Sequence, residues 1–347
     1  EAGRPGSSRG CHTPPTKRGY SQATPRLRGI PGPWRDLQVL REVAVLALEE
    51  LPELLRGAAE LLRSRGPLLE AKAGRVLVVG DTHGYPEVSE WALSLADKAG
   101  VDLVVFLGDY VDRGTRGSEN LELLVRRLLD EPDRLVLLRG NHESPLMNLY
   151  YGFRDEVVSK LGIDILEPLY DFYTSLPYML LAGGILYVHG GVPCRVCSNE
   201  PEEPISLAEI RERLEELHGS RRGLDPEDPV AIQLLWSDPR GTIDWFLPSA
   251  RGPGIYYYGR EAWKTFMEAN SLSLIFRGHE SLDAFHVWLP DGSQRYRIDH
   301  GAVMDLEELR YSIVTVFSSL YHGAGAGAAL VTEEGIVLLR YPGELPG

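Results

Sequence analysis

Between residues 36 and 71 apolar side chains recur at helical spacing, at Leu37, Leu40, Val43, Leu46 and Ala47 and again at Leu54, Leu55, Leu61 and Leu62. The spacing predicts N-terminal helices over 36–71. Pro52 divides the stretch or opens its second helix, because proline suits a first turn and breaks an interior. From residue 75 the pattern changes to short apolar runs alternating with amphipathic stretches. Runs at 75–80, 103–108 and 135–140 read as buried strands with helices at 87–98 and 118–129 between them, a βαβαβ unit. Two or three helices are expected between 145 and 176, then a strand at 185–189. Residues 194–229 are polar and irregular, with a helix near 207–218, and read as an insertion or cap. Strands return at 272–277, 286–289, 294–299, 312–317, 329–332 and 336–340, with a turn at Pro290-Asp291-Gly292.

This order of elements predicts an α/β fold, a two-sheet β-sandwich of mixed strands flanked by helices. At 347 residues the chain fits one large domain, expected over 36–347 with helices at 36–71. Residues 1–35 hold seven Lys or Arg against one Glu, with Pro, Gly and Ser throughout, and read as a disordered basic tail. No repeat of solenoid period is present.

The net charge of −14 and sequence pI near 5.2 argue against nucleic acid or an anionic membrane as partner, since such binders cluster Lys and Arg against phosphate. An anionic substrate must then be drawn by local charge and metal. No apolar run reaches signal-peptide or membrane-spanning length. Three cysteines, Cys11, Cys194 and Cys197, make no secreted disulfide framework, so a cytoplasmic location is expected. Cys194-Arg195-Val196-Cys197 has redox or zinc spacing. Zinc needs a second pair that the chain lacks, which leaves a chance pair as the expectation and a labile disulfide as the alternative. The excess of Arg over Lys and the proline-rich loops fit a thermophilic source, and GC-rich codons equally.

The chemistry lies in loops that follow the apolar runs: Gly80-Asp81-Thr82-His83-Gly84, Gly108-Asp109-Tyr110-Val111-Asp112-Arg113-Gly114, Arg139-Gly140-Asn141-His142-Glu143, His189-Gly190-Gly191 and Arg277-Gly278-His279-Glu280. Ligands of open α/β sheets bind beyond the carboxyl ends of parallel strands, where these loops fall. Oxygen and imidazole donors without thiolate suit two divalent ions, manganese first, iron or zinc next, with a carboxylate as the usual bridge. Asp109 is the candidate bridge, with Asp81, His83 and His279 on one ion and Asn141 and His189 on the other. Ions roughly 3.5–4 Å apart would activate a bridging water for in-line attack on a phosphoryl group. His142 is placed to protonate the leaving alkoxide, Asp112 to orient its ring, and Arg113 with a more distant arginine to neutralise phosphoryl charge. Glu143 and Glu280 are expected to brace their loops. His218, His286 and His300 read as structural or surface residues.

These five segments, in this order and spacing, resemble the PPP family of metal-dependent serine/threonine protein phosphatases, with signatures GDxHG, GDxVDRG, GNHE, HGG and a later RxH. The resemblance covers about residues 74–340. Leu235-Trp236-Ser237-Asp238-Pro239, Arg251-Gly252 before Tyr256-Tyr257-Tyr258-Gly259, and Thr315-Val316-Phe317-Ser318-Ser319 ahead of Tyr321 fit its protein-phosphatase branch. The resemblance implies a calcineurin-like metallophosphoesterase fold, metal ligands at Asp81, His83, Asp109, Asn141, His189 and His279, and a general acid at His142 backed by Asp112. It further implies phosphate-binding arginines at Arg113 and Arg251, and Tyr321 on the overhanging loop. That loop departs from the family pattern, with Ser319-Leu320 for Pro-Asn and His322 for cysteine. The expected partners are phosphorylated proteins. The alternatives are a hydrolase of dinucleoside polyphosphates or other small phosphoesters, and a non-catalytic docking module.

Overall fold

The structure is a computed structural model that describes residues 48–323 and 325–345. A seven-stranded sheet runs in the order β1 (Leu68–Ala71), β5 (Met179–Ala182), β6 (Ile185–Val188), β10 (Leu274–Arg277), β14 (Ser312–Val316), β11 (Phe285–Trp288) and β12 (Gln294–Tyr296). A six-stranded sheet runs β13 (Ala302–Met304), β16 (Gly335–Arg340), β15 (Gly327–Thr332), β2 (Val76–Val79), β3 (Leu103–Phe106) and β4 (Leu135–Leu137). The strands β2, β3 and β4 are mutually parallel, as are β6, β10 and β14.

The sandwich follows from the period-two alternation of its strands. Val76, Val78, Leu103, Val105 and Val136 face the layer between the sheets, where they join Leu180, Tyr187, Phe276, Val314 and Val316. Their neighbours Leu77, Val79, Val104, Phe106, Leu135 and Leu137 face a second core. That core lies beneath α1 (Leu51–Arg63), α2 (Pro86–Ala99), α3 (Gly117–Asp130), α5 (Phe153–Leu161) and α6 (Leu166–Ser175), while the short α4 (Pro145–Tyr151) sits at its rim. Strands buried on both faces are apolar at every position, which is why they read as unbroken runs. The outer face of the seven-stranded sheet is covered by α7 (Leu207–Glu215), α8 (Pro229–Trp236) and α9 (Arg260–Ala269). A small sheet of β7 (Asp238–Pro239), β9 (Tyr256–Tyr258) and β8 (Phe246–Pro248) follows α8 in the chain.

Several expectations need correcting. Pro52 opens α1, as expected, but the helical reading fails at its end, where Leu68–Ala71 is a strand paired in parallel with β5. Gly66, at φ +81°, and Pro67 turn the chain out of the helix, and sheet pairing then overrides the apolar spacing. The first part of the 36–71 stretch and the tail at 1–35 lie outside the described residues. Strand β5 was not predicted, although Gly183 and Gly184, both at positive φ between two apolar runs, carry a hairpin signal. Residues 194–229 form no separate cap, because Ile205, Ile210, Leu214 and Leu217 belong to the core outside the seven-stranded sheet. Cys194 and Cys197 are joined by a disulfide, so the chance-pair reading is wrong. No described helix is long and apolar enough to cross a membrane.

Candidate metal centre

Each sheet ends its parallel strands in loops that meet at one edge of the sandwich. A parallel bridge between Asp81 and Phe317 joins the loop after β2 to the loop after β14, and Ser318 Oγ accepts the Gly80 N–H at 2.8 Å. Asp81 and His83 follow β2, Asp109 to Arg113 follow β3, Asn141 and His142 follow β4, His189 follows β6, and His279 follows β10. All six predicted metal ligands are buried.

The imidazoles are aimed by backbone carbonyls. His83 Nδ1 lies 2.9 Å from Val111 O and His189 Nδ1 2.9 Å from Leu107 O. Those carbonyls only accept, so the protons sit on Nδ1 and both Nε2 atoms present lone pairs to the site. His83 Nε2 is then 3.6 Å from Asp109 Oδ2 and 4.0 Å from Asp81 Oδ2. His189 Nε2 is 3.4 Å from Asp109 Oδ1 and 2.9 Å from Asn141 Oδ1. His279 Nδ1 is 2.7 Å from the same Asn141 oxygen and 3.2 Å from His189 Nε2. The grouping of His279 with Asp81 and His83 is therefore wrong for its ring, which belongs with Asn141 and His189. Only its backbone N–H reaches Asp81, at 2.9 Å. Asp109 belongs to both clusters.

Such a set of donors fits cations. Lone pairs of Asn141 and His189 face each other across 2.9 Å, and His279 Nε2 is buried without a hydrogen-bond partner. Burial pushes Asp81 up to about 7 against the pull of the His279 N–H and Arg277, and pushes Asp109 well above the carboxylate range, reinforced by Asp81. Burial likewise holds His83, His189 and His279 well below the ordinary imidazole value. Carboxylates short of positive charge beside neutral imidazoles are the donor chemistry that two divalent ions complete.

The supports are as specific as the ligands. The Glu143 carboxylate accepts the N–H groups of Asp109, Tyr110 and Gly140 at 2.8, 2.9 and 2.8 Å, so it braces two loops as expected. Glu280 accepts from Arg277 at 3.0 Å and Arg240 at 2.8 Å. His83, Asp109, Asp112, Arg113 and His279 all lie at positive φ, a backbone conformation that costs such residues roughly 1–3 kcal/mol each and persists only where the surrounding bonds hold it. Gly278 and Gly140 are required by closeness: a Cβ would come within 2.3 Å of Asp81 Oδ1 at the first and 2.2 Å of Asp109 Oδ1 at the second.

His142 Nδ1 lies 2.7 Å from Asp112 Oδ2. Burial lowers the His142 imidazole and Asp112 opposes the shift. A cavity of about 170 Å³ opens over these groups, lined also by Arg113, Arg251, Tyr321, Tyr151 and Trp236. Arg113 donates to Tyr321 Oη at 3.2 Å and lies 3.6 Å over the Tyr151 ring, and Arg251 Nε donates to Asp238 at 2.6 Å. Tyr151 and Trp236, whose ring meets His279 edge-on, were missed as site residues. Trp236 belongs to the Leu235-Trp236-Ser237-Asp238-Pro239 segment, and Tyr151 precedes a glycine at φ +99° that ends α4. Of the histidines set aside, His218 bonds Ser175 O, His286 bonds Gln294, and exposed His300 accepts the Arg340 N–H.

The profile of the calcineurin-like phosphoesterases matches residues 74–282. The chain belongs to that family. It is 32% identical over 303 residues to a probable serine/threonine-protein phosphatase of Encephalitozoon cuniculi, covering 84% of this chain and 57% of that protein, so it spans little more than half the length of this relative. A protein serine/threonine phosphatase of Saccharomyces cerevisiae superposes with a TM-score of 0.68 at 24% identity, over 86% of this chain and 91% of that one. A cold-active protein-tyrosine phosphatase of a psychrophilic Shewanella superposes at 0.51 and 16% identity, over 80% and 81%. These two likenesses establish the fold.

Proposed function

We propose that the chain is a phosphoprotein phosphatase of the PPP branch that hydrolyses phosphoserine and phosphothreonine monoesters with two divalent ions. The observation that carries this reading is the union, in one cavity, of two donor clusters sharing Asp109 with a buried His142–Asp112 pair and two anchored arginines. Asp81, His83 and Asp109 would hold one ion, and Asp109, Asn141, His189 and His279 the other. Bound there, the ions supply Lewis acidity and an activated water.

The remaining work falls to the chain. Arg113 and Arg251 both line the cavity and bind the phosphoryl oxygens, Arg113 held by its two tyrosines and Arg251 by Asp238. His142 lies within reach of His83 and Asp109, but its Nδ1 is committed to Asp112. It therefore serves as the acid, delivering a proton from Nε2 to the serine oxygen as the P–O bond breaks. The relative's name, probable serine/threonine-protein phosphatase, supports the substrate class.

The test is phosphate release by chelator-stripped protein resupplied with Mn²⁺, Fe²⁺, Zn²⁺ or Mg²⁺, from a phosphoserine/phosphothreonine peptide and from a dinucleoside tetraphosphate. Metal-restored turnover that favours the peptide is expected. Preference for the dinucleotide would move the chain to small phosphoesters, and metal binding without turnover of either would make it a docking module.

A further inference from the structure

Helix α4 is packed against its own pattern. Leu146 is 49% exposed, Leu149 59% and Tyr150 76%, whereas Asn148 is 1% exposed. A helix that buries an amide and leaves its leucines wet has sacrificed packing at that position, and such conflicts mark residues held for function.

Each polar atom of the amide is engaged. Asn148 Nδ2 donates to the His142 carbonyl at 2.8 Å and to Asp112 Oδ2 at 3.0 Å, and Oδ1 accepts the Tyr173 hydroxyl at 2.9 Å. Tyr173 lies on α6, fully buried, and burial holds its phenol well above the ordinary value, so the hydroxyl stays a donor. The Asp112 carboxylate also accepts the Phe153 N–H at 3.1 Å on Oδ1. With donors on both oxygens Asp112 acts as an acceptor, so His142 Nδ1 carries the proton between them and Nε2 is turned to the cavity.

We infer that Asn148 and Tyr173 are positioning residues for phosphoester cleavage, fixing the Asp112 carboxylate and the His142 backbone so that His142 Nε2 points at the leaving oxygen. The inference rests on the phosphatase reading. In that step the water oxygen forms a new bond to phosphorus as the bond to the serine oxygen breaks. The electron pair goes to the serine oxygen, which takes the Nε2 proton, and the proton released by the water on activation is matched by one that solvent returns to the histidine. Tyr173 acts through Asn148 and Asn148 through Asp112. Neither touches substrate.

The experiment compares wild type, Tyr173→Phe and Asn148→Ala on a phosphoserine peptide, whose alkoxide needs a proton, and on p-nitrophenyl phosphate, whose leaving group does not. In parallel, proton NMR of metal-free protein follows the His142 Nδ1 resonance, assigned by its loss in His142→Asn. On the peptide kcat should fall about tenfold for Tyr173→Phe and about a hundredfold for Asn148→Ala, with KM within about twofold. On p-nitrophenyl phosphate both variants should stay within about threefold. The Nδ1 resonance should move in both variants. Equal losses on the two substrates, no loss on the peptide, or an unmoved resonance would overturn the inference. Wild type that turns over neither substrate with any of the four ions would instead overturn the phosphatase reading, and the resonance would still decide whether Tyr173 and Asn148 set the His142 bond.

Discussion

The two sheets supply the site in different ways. Three successive loops of the six-stranded sheet deliver Asp81, His83, Asp109, Asp112, Arg113, Asn141 and His142, and one carboxylate, Glu143, ties two of those loops through backbone N–H groups. The seven-stranded side contributes His189, Arg251, His279 and Tyr321 singly, from loops far apart in the chain. There the tie is a guanidinium. Arg277, fully buried, donates to Gly190 O at 2.8 Å, Ser237 O at 3.1 Å, Asp238 at 2.9 Å and Glu280 at 3.0 Å. One side is an anion gathering N–H donors and the other a cation gathering carbonyls and carboxylates. The second also anchors Arg251 through Asp238, so it links the loops of the candidate ligands to the arginine proposed to bind phosphate.

If Asp109 is the element both clusters share, its loss should have the largest effect. Asp109→Asn is expected to lower phosphatase kcat by at least about 10³-fold and to leave neither ion bound, whereas His279→Asn should retain one ion. Elemental analysis after gel filtration distinguishes the two, and an Asp109→Asn protein that keeps both ions would remove the shared role. Next come the ties themselves. Arg277→Met strips buried Asp238 of one of its two guanidinium partners and breaks the bonds to Gly190 O, Ser237 O and Glu280, and should cost about 3–5 kcal/mol, while Glu143→Gln keeps one acceptor oxygen and should cost about 1.5–3 kcal/mol. Urea denaturation of the metal-free proteins reads the difference, and a larger loss in Glu143→Gln would reverse the ranking of the two sides.

The same contrast explains what could be read in the chain. Asp81, His83, Asp109, Asn141 and His142 cluster beside glycines because each loop must pass within touching distance of another, as Gly140 does with Asp109. Short-range spacing therefore carries much of that side, including the bracing by Glu143. The direction of the His279 ring was not legible. Its neighbour Gly278 packs on Asp81, which put the residue on the right edge, yet the ring's partners Asn141 and His189 come from other strands. The amide of Asn148 was equally hidden, since its meaning depends on Tyr173 in another helix. Strand β1 was missed because its partner β5 follows more than a hundred residues later, and pairing at that distance leaves no local period.

A smaller effect should appear at Gly278. Gly278→Ala must displace the Asp81 carboxylate or the loop, because the added carbon would sit 2.3 Å from Asp81 Oδ1. The expected result is a fall in metal affinity of roughly 10–100-fold, the range seen when groups supporting a ligand are lost, with kcat at saturating metal less affected. Titration with the metal alone measures this. An unchanged affinity would mean that the seven-stranded side yields where the six-stranded side does not.

The smallest effect is expected at the rim. Tyr321 is half-buried, its hydroxyl accepts from Arg113 at 3.2 Å, and Arg113 also stacks on Tyr151 at 3.6 Å. Removing the hydroxyl in Tyr321→Phe leaves the stacking in place and deletes one hydrogen bond to a charged group, in a site open to water. A contribution of about 0.5–1.5 kcal/mol corresponds to a rise in KM for a phosphopeptide of roughly 2–10-fold, with kcat nearly unchanged. Because the loop after β14 departs from the family pattern at Ser319-Leu320, the variant also tests whether this loop sets substrate fit. Steady-state kinetics on phosphoserine peptides decide the matter. A loss in kcat beyond about thirtyfold would place Tyr321 among the groups that act on the transition state, and the overhanging loop would then belong to the catalytic half of the molecule.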